Sequence, residues 1–216
     1  MRYGLIVFDW DGTLIDSAGA IAECIQEAAR DLGLGIPDRE RARHVIGLGL
    51  QESLQLAVPD LPSHRTREFV EAYRRHFLAN EHSMQLFPGI EALLEALRSR
   101  GHRLAVATGK SRRGLDRALE ASGLRAQFEA TRCADETTPK PDPAMLHELM
   151  DELGAAPAEA LMIGDTTHDL QMASAARVDA VAVCYGAHAE ASLRALRPRA
   201  CLSTVQELEE WLRQHA

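Results

Sequence analysis

The chain reads as an α/β protein: a parallel β-sheet covered by helices on both faces and interrupted by one all-helical insertion. Three observations predict this. Four short apolar runs, Leu5 to Phe8, Leu104 to Ala107, Leu161 to Ile163 and Ala180 to Val183, are continuous rather than alternating, as strands buried on both faces are. Amphipathic helical stripes separate most of them, so strand, helix and strand recur at the spacing of βαβ units. Between Asp16 and about Met84 helical stripes follow one another with no strand between them, and roughly 70 residues are too many for a crossover connection.

The elements follow in order. Leu5 to Phe8 predicts the first strand. The insertion carries three stripes: Ile21, Cys24, Ile25, Ala28, Ala29 and Leu32; then Leu50, Leu54, Ala57 and Val58; then Phe69, Val70, Tyr73 and Phe77. Arg39, Arg41 and Arg43 lie on a short polar helix between the first two, and solvent is their expected partner, as it is for Arg74 and Arg75, with a substrate carboxylate the alternative partner for one arginine of the insertion. Ile90, Leu93, Leu94 and Leu97 form one helical face that stops at Gly101, ahead of the strand at Leu104. Ser111 starts and Gly123 ends the next helix. Met145, Leu146, Leu149, Met150 and Leu153 make another, closed by Gly154 and leading to Leu161. Leu170, Ala173 and Ala176 precede Val178. Cys201-Leu202 suits a short edge strand, and Val205, Leu208, Trp211 and Leu212 a last helix. The expected domains are therefore a core of residues 1–15 and 85–216 and a helical cap of residues 16–84, hinged on two linkers as a lid would be.

Composition excludes several functions. A net charge of −8 with no long run of Lys or Arg argues against a nucleic-acid partner or an anionic membrane surface. No apolar stretch reaches the roughly 20 residues of a membrane span, the N-terminus has no signal-peptide pattern, and a cytoplasmic location is the expectation. Cys24, Cys133, Cys184 and Cys201 lie far apart with no C-x-x-C pair, so neither a zinc site nor a disulfide framework is predicted. The nine histidines are scattered as well.

Chemistry concentrates at the ends of the strands. In "FDWDGTLID" the first apolar run ends in Asp9 and Asp11. Alternation along an extended strand points both carboxylates to one side and Trp10 to the other. Two buried carboxylates repel one another, so the arrangement calls for a counter-charge. Thr108-Gly109 follows the second run, where a hydroxyl and exposed backbone N–H groups suit phosphoryl oxygens. Lys140 sits between two prolines in "TPKPDP" and supplies a cation. In "GDTTHD" Asp165 ends the third run, with Asp169 one helical turn further on. Carboxylates without a His or Cys cluster suit a hard ion such as Mg²⁺. With a threonine hydroxyl and a lysine at the same sheet edge, they predict metal-dependent phosphoryl transfer.

"DWDGT" at Asp9 to Thr13, Thr108 after a strand, Lys140 before Pro141 and "GDTTHD" at Gly164 to Asp169 resemble, in order, the four motifs of the haloacid dehalogenase superfamily, and in particular its phosphoglycolate phosphatase-like branch. The resemblance spans essentially the whole chain and implies a Rossmann-like core with a helical cap inserted after the first motif. It implies that Asp9 is the nucleophile, forming an aspartyl-phosphate, and that Asp11 is the general acid and base. It implies that Thr108 and backbone N–H groups near Trp10 and Gly109 bind the phosphoryl group, and that Lys140 neutralises nucleophile and phosphate. Mg²⁺ would be held by Asp9, Asp165 and the backbone carbonyl of Asp11, with Asp169 supporting the metal or orienting Lys140. Dehalogenases of the superfamily typically lack an acid two residues after the nucleophile, so Asp11 disfavours that branch.

Two departures bear on substrate. Many relatives have asparagine where this chain has Gly109, which removes an amide from the substrate's reach. The loop "VIGLGLQES", at Val45 to Ser53, stands where relatives place specificity residues, and it offers backbone and Gln51 rather than a strong charge. The expected activity is Mg²⁺-dependent hydrolysis of a small phosphomonoester, with 2-phosphoglycolate as one candidate. The alternatives are a phosphomutase of the same fold and a non-catalytic protein that binds a phosphorylated ligand. The expected partner is a small phosphorylated metabolite, with the protein a monomer or homodimer.

Overall fold

Strand β1 (Leu5–Phe8) is buried along its whole length. Leu5 and Val7 enter one apolar cluster while Ile6 and Phe8 enter another on the opposite face, which is why the run is continuous. Each such side chain contributes about 1.5–3 kcal/mol on burial. The computed structural model describes residues 2–216; residue 1 of the expected core range lies outside the described residues.

Four helices follow β1: α1 (Ala18–Asp31), α2 (Arg39–His44), α3 (Leu50–Ala57) and α4 (Thr66–Asn80). Ile21, Ile25, Ala28, Leu54 and Phe69 gather in an apolar cluster of their own, distinct from the two that flank the sheet. The chain enters and leaves this insertion side by side: the Asp16 N–H donates to the Gln85 carbonyl at 2.8 Å and the Phe87 N–H to the Leu14 carbonyl at 3.0 Å.

The sheet then continues through α5 (Ile90–Ser99), β2 (Arg103–Thr108), α6 (Arg112–Ser122), β3 (Ala130–Cys133), α7 (Ala144–Leu153), β4 (Ala160–Gly164), α8 (Thr167–Ala175), β5 (Asp179–Val183), α9 (Glu190–Ala195), β6 (Cys201–Leu202) and α10 (Val205–His215). All strands are parallel, in the order β3-β2-β1-β4-β5-β6. This is the Rossmann arrangement. The order reverses at β1, and the crevice beyond the carboxyl ends of strands there is where such sheets bind ligands. Helices α5, α6 and α10 cover one face through Leu93, Leu115 and Leu208; α7 and α8 cover the other through Leu146 and Met172.

Strand β3 adds to the four runs expected from the sequence. Its Thr131 and Arg132 are only half-buried, so no apolar run marks it. Helix α9, likewise unforeseen, buries Leu193 alone among its side chains.

Candidate active site

Four of the site residues expected from the sequence meet in one buried group. Asp9 follows β1, Asp165 follows β4, the neighbouring strand, and Asp169 lies in the first turn of α8; one carboxylate oxygen from each falls within 4.8 Å of the others. Lys140 Nζ is 2.8 Å from Asp9 Oδ1 and 2.6 Å from Asp169 Oδ1, with all three side chains withdrawn from solvent. These are charge contacts at angles outside good hydrogen-bond geometry, and Asp9 Oδ2 is buried with no protein partner among the described residues.

Each carboxylate is held by its surroundings. The Thr13 hydroxyl donates to Asp165 Oδ1 at 2.7 Å and the Ala187 N–H donates to Oδ2 at 2.6 Å. Thr166 caps α8, donating from its N–H (3.0 Å) and hydroxyl (2.7 Å) to Asp169 Oδ2. Burial pushes Asp165 up to about 7, helped by the Asp169 charge and opposed by the Ala187 and Thr13 donors. Burial also raises Asp9 well above the usual carboxylate range against the pull of Lys140, with Asp169 and Asp165 adding to the rise. For Lys140, burial acts to remove the proton, but Asp169 and Asp9 outweigh it and the ammonium is held above its ordinary value. Three carboxylates face one lysine. The surplus negative charge, the all-oxygen donor set and the unpartnered Asp9 Oδ2 fit a hard divalent cation.

Asp11 takes a different position. Its carboxylate turns from the buried group toward the cavity, where Ser17 Oγ donates to Oδ1 at 2.8 Å and Lys110 Nζ lies 3.0 Å from Oδ2. Trp10 turns away and is fully buried, its ring packed edge-on against Phe128 at 6.3 Å. Thr108 is fully buried and its hydroxyl accepts from the Lys110 N–H at 3.2 Å; Gly109 and Lys110, rather than Thr108, line the cavity. Lys110 was missed as a site residue, although it directly follows Thr108-Gly109 in the sequence.

The cavity, about 350 Å³, lies between the sheet edge and the helical insertion, with Asp9 and Asp11 among its lining residues. The segment Val45 to Ser53, a loop that runs into the first turn of α3, covers it, supplying Val45, Ile46, Gly47, Leu48, Leu50 and Ser53 to the wall, whereas Gln51 is exposed and does not line the cavity. This explains Gly109 differently from the sequence reading. A Cβ there would stand 2.5 Å from the Leu48 carbonyl oxygen and 2.6 Å from that of Gly47, so the residue lacks a side chain because the loop's backbone occupies the space.

Two further expectations are corrected at this contact. Arg43 is not solvated: it donates to the carbonyls of Ala187, at 3.1 Å, and Gly186, tying α2 to the loop after β5. The histidines are not all scattered, because His44 stacks on His188 with ring centroids 4.9 Å apart, and His168 packs against His188 at 5.1 Å. His168 and His188 both place Nε2 2.9 Å from the His44 carbonyl. Burial lowers both, His188 to about 4, so they are neutral donors near pH 7. Partners more than 120 residues apart in sequence left no local signal.

Residues 6–183 match the haloacid dehalogenase-like hydrolase family. The chain is 36% identical to a probable phosphatase, IndB, of Dickeya dadantii, over 94% of this chain and 91% of that protein. It is 34% identical to a 5'-nucleotidase of Pseudomonas aeruginosa, over 100% and 98% of the two chains. The crystal structure of a predicted phosphoglycolate phosphatase from Haemophilus somnus superposes with a TM-score of 0.88 at 26% identity, covering 98% of this chain and 99% of the other. Among the described residues no helix is long and apolar enough to cross a membrane.

Proposed function

We propose that this chain, which belongs to the haloacid dehalogenase-like hydrolases and to their phosphoglycolate phosphatase-like branch, is a Mg²⁺-dependent phosphatase that hydrolyses a small phosphomonoester through an aspartyl-phosphate on Asp9. The observation that carries the reading is the buried Asp9–Lys140–Asp169 group with Asp165 beside it, opening through Asp9 and Asp11 onto a covered cavity.

Asp9 attacks phosphorus with a carboxylate oxygen, and the bond from phosphorus to the alcohol oxygen breaks. Asp11 delivers its proton to the departing alcohol, then takes one from the water that attacks the aspartyl-phosphate, which releases inorganic phosphate and restores Asp9. Ser17 and Lys110 fix the direction of the Asp11 carboxylate during both transfers. Lys140 neutralises Asp9 and the incoming phosphate, and Asp169 holds Lys140 in place. Backbone N–H groups near Trp10 and Gly109 receive the phosphoryl oxygens, and Thr108, buried beside the cavity, holds that turn by accepting from the Lys110 N–H. Asp9, Asp165 and the Asp11 carbonyl would hold Mg²⁺, which supplies positive charge to the carboxylates and the phosphoryl oxygens. Residues 16–84 act as a cap hinged on the paired linkers at Asp16 and Gln85, shielding the catalytic groups of the core, residues 1–15 and 85–216, from bulk water while the phosphoryl group passes to Asp9. The four cysteines are free, which supports a cytoplasmic location. Relatives named as phosphoglycolate phosphatases make 2-phosphoglycolate the first ester to test.

The test is phosphate release from a panel of phosphomonoesters with and without Mg²⁺, with Asp9→Asn as control. We expect metal-dependent release that the control lacks, its kcat falling by about 10⁴-fold or more. Tight binding of an ester by the wild type without release of phosphate would replace this reading with that of a phospho-ligand sensor. Rapid interconversion of hexose 1- and 6-phosphates would replace it with that of a mutase.

A further inference from the structure

The cavity has two unlike walls. The cap side is apolar, with Ile21, Ile25, Leu54 and Phe77 facing inward. The core side is basic: Arg113 and Arg117, one turn apart on α6, join Lys110, and Arg74 of the cap closes the rim. These cations are incompletely paired. Arg117 has only a 3.6 Å contact with Glu81 of the cap, and its Nε is buried without a hydrogen-bond partner. Arg74 and Arg113 lie in no ion pair among the described residues. The one other acid of the lining, Asp135, already accepts from the Arg112 N–H at 2.8 Å. Lys110 is engaged by Asp11, so in a chain of net charge −8 Arg113 and Arg117 are the incompletely paired cations of this wall, away from Lys140, which is buried behind Asp9.

We propose that the alcohol released by this phosphatase carries a second anionic group, received by Arg113 and Arg117, at the far end of an apolar body that lies along Ile25, Leu54 and Phe77. The inference rests on the phosphatase reading and narrows its substrate. Guanidinium groups pair carboxylate or phosphate oxygens two at a time; Arg117 is half-buried and Arg113 exposed, so a contact at Arg117 is the less screened of the two. A cavity of about 350 Å³ is in the range that holds drug-sized ligands. 2-Phosphoglycolate is the smallest member of this class; it meets the charge requirement and leaves the apolar wall uncovered.

Four probes separate charge from size: ethyl phosphate, 2-phosphoglycolate, phenyl phosphate and 4-carboxyphenyl phosphate. In the wild type each anionic ester is expected to exceed its neutral counterpart in kcat/KM by about tenfold or more, one charged contact being enough for that. Arg113→Gln/Arg117→Gln brings both ratios to within about twofold, and Arg113→Lys/Arg117→Lys restores part of the preference. Phe77→Ala raises KM for 4-carboxyphenyl phosphate about tenfold and for 2-phosphoglycolate less than threefold. Dissociation constants of the same four esters for Asp9→Asn, by calorimetry, follow the same order. Equal handling of neutral and anionic esters, or a preference that survives the double glutamine variant, overturns the charged end; equal losses of both esters in Phe77→Ala overturn the apolar body. If esters are hydrolysed without preference, this inference fails and the phosphatase reading stands. If none is hydrolysed while Asp9→Asn binds the anionic ones selectively, the phosphatase reading fails and the anion site stands.

Discussion

The two sides of the cavity are built on different terms. On the core side, chemistry-bearing groups are buried, charged and held by several partners each: Lys140 touches Asp9 and Asp169, and Asp165 accepts from Thr13 and Ala187. On the cap side, the wall is made of apolar side chains and loop backbone, and the cap meets the core through Arg43, His44 and the close approach of Gly47 and Leu48 to Gly109. Charges taken from water must be compensated wherever they are placed, so the core side cannot vary one residue at a time. A wall that excludes water and fits an alcohol needs only shape. On the proposed reading, the buried charges of the core carry the reaction, α6 of the core reads the charge of the alcohol, and the apolar wall opposite fits its body.

The first way to break this comparison is Lys140→Met. It strands Asp9 and Asp169 without their cation, and a loss of about 3–5 kcal/mol in urea unfolding is expected, together with loss of phosphate release; a stability unchanged from wild type would mean that the core charges are not mutually dependent. Next is Gly109→Ala, a core substitution whose effect should be read in the cap. Its methyl displaces the 47–48 backbone, and kcat/KM should fall about 10²-fold through misplacement of the cap while the melting temperature changes little. A crystal structure of the variant with the loop unmoved would contradict this.

A third expectation concerns metal and pH. Asp165 is raised to about 7 from an ordinary carboxylate value, so in the metal-free protein its protonated form is favoured by folding; that contribution is full below about pH 4 and is lost as pH rises through 7. Mg²⁺ binds the ionised group, so the rise in melting temperature on adding Mg²⁺ should be several-fold larger at pH 8 than at pH 5. Equal shifts at the two pH values would place the ion elsewhere. The smallest effect is expected from Arg43→Ala, which removes the bonds to the Gly186 and Ala187 carbonyls. KM should rise several-fold with kcat nearly constant, and hydrogen exchange should quicken at residues 45–49.

Strands β1, β2, β4 and β5 were legible because each is a run of apolar residues with both faces covered. Strand β3 was not: it lies at the sheet edge, and Arg132 leaves it to pair with Glu148 and Glu152. The acids and Lys140 were legible because strand ends in a parallel sheet converge on one edge, so position in the sequence already implied proximity. The latch of Arg43 and His44 was illegible for the converse reason. Its partners sit on loops distant in sequence that the packing of the helical insertion brings near, and a polar helix six residues long reads as solvated whichever surface it meets. Gly109 was visible as a departure, but its cause, a carbonyl from a distant loop, was not.

That last contact bears on how such proteins can be recombined. Position 109 belongs by sequence to the core but is matched to the path of the loop above it, so the cap is not a freely exchangeable module. A chimera that receives a foreign helical insertion would have to bring a residue at 109 matched to that insertion's backbone.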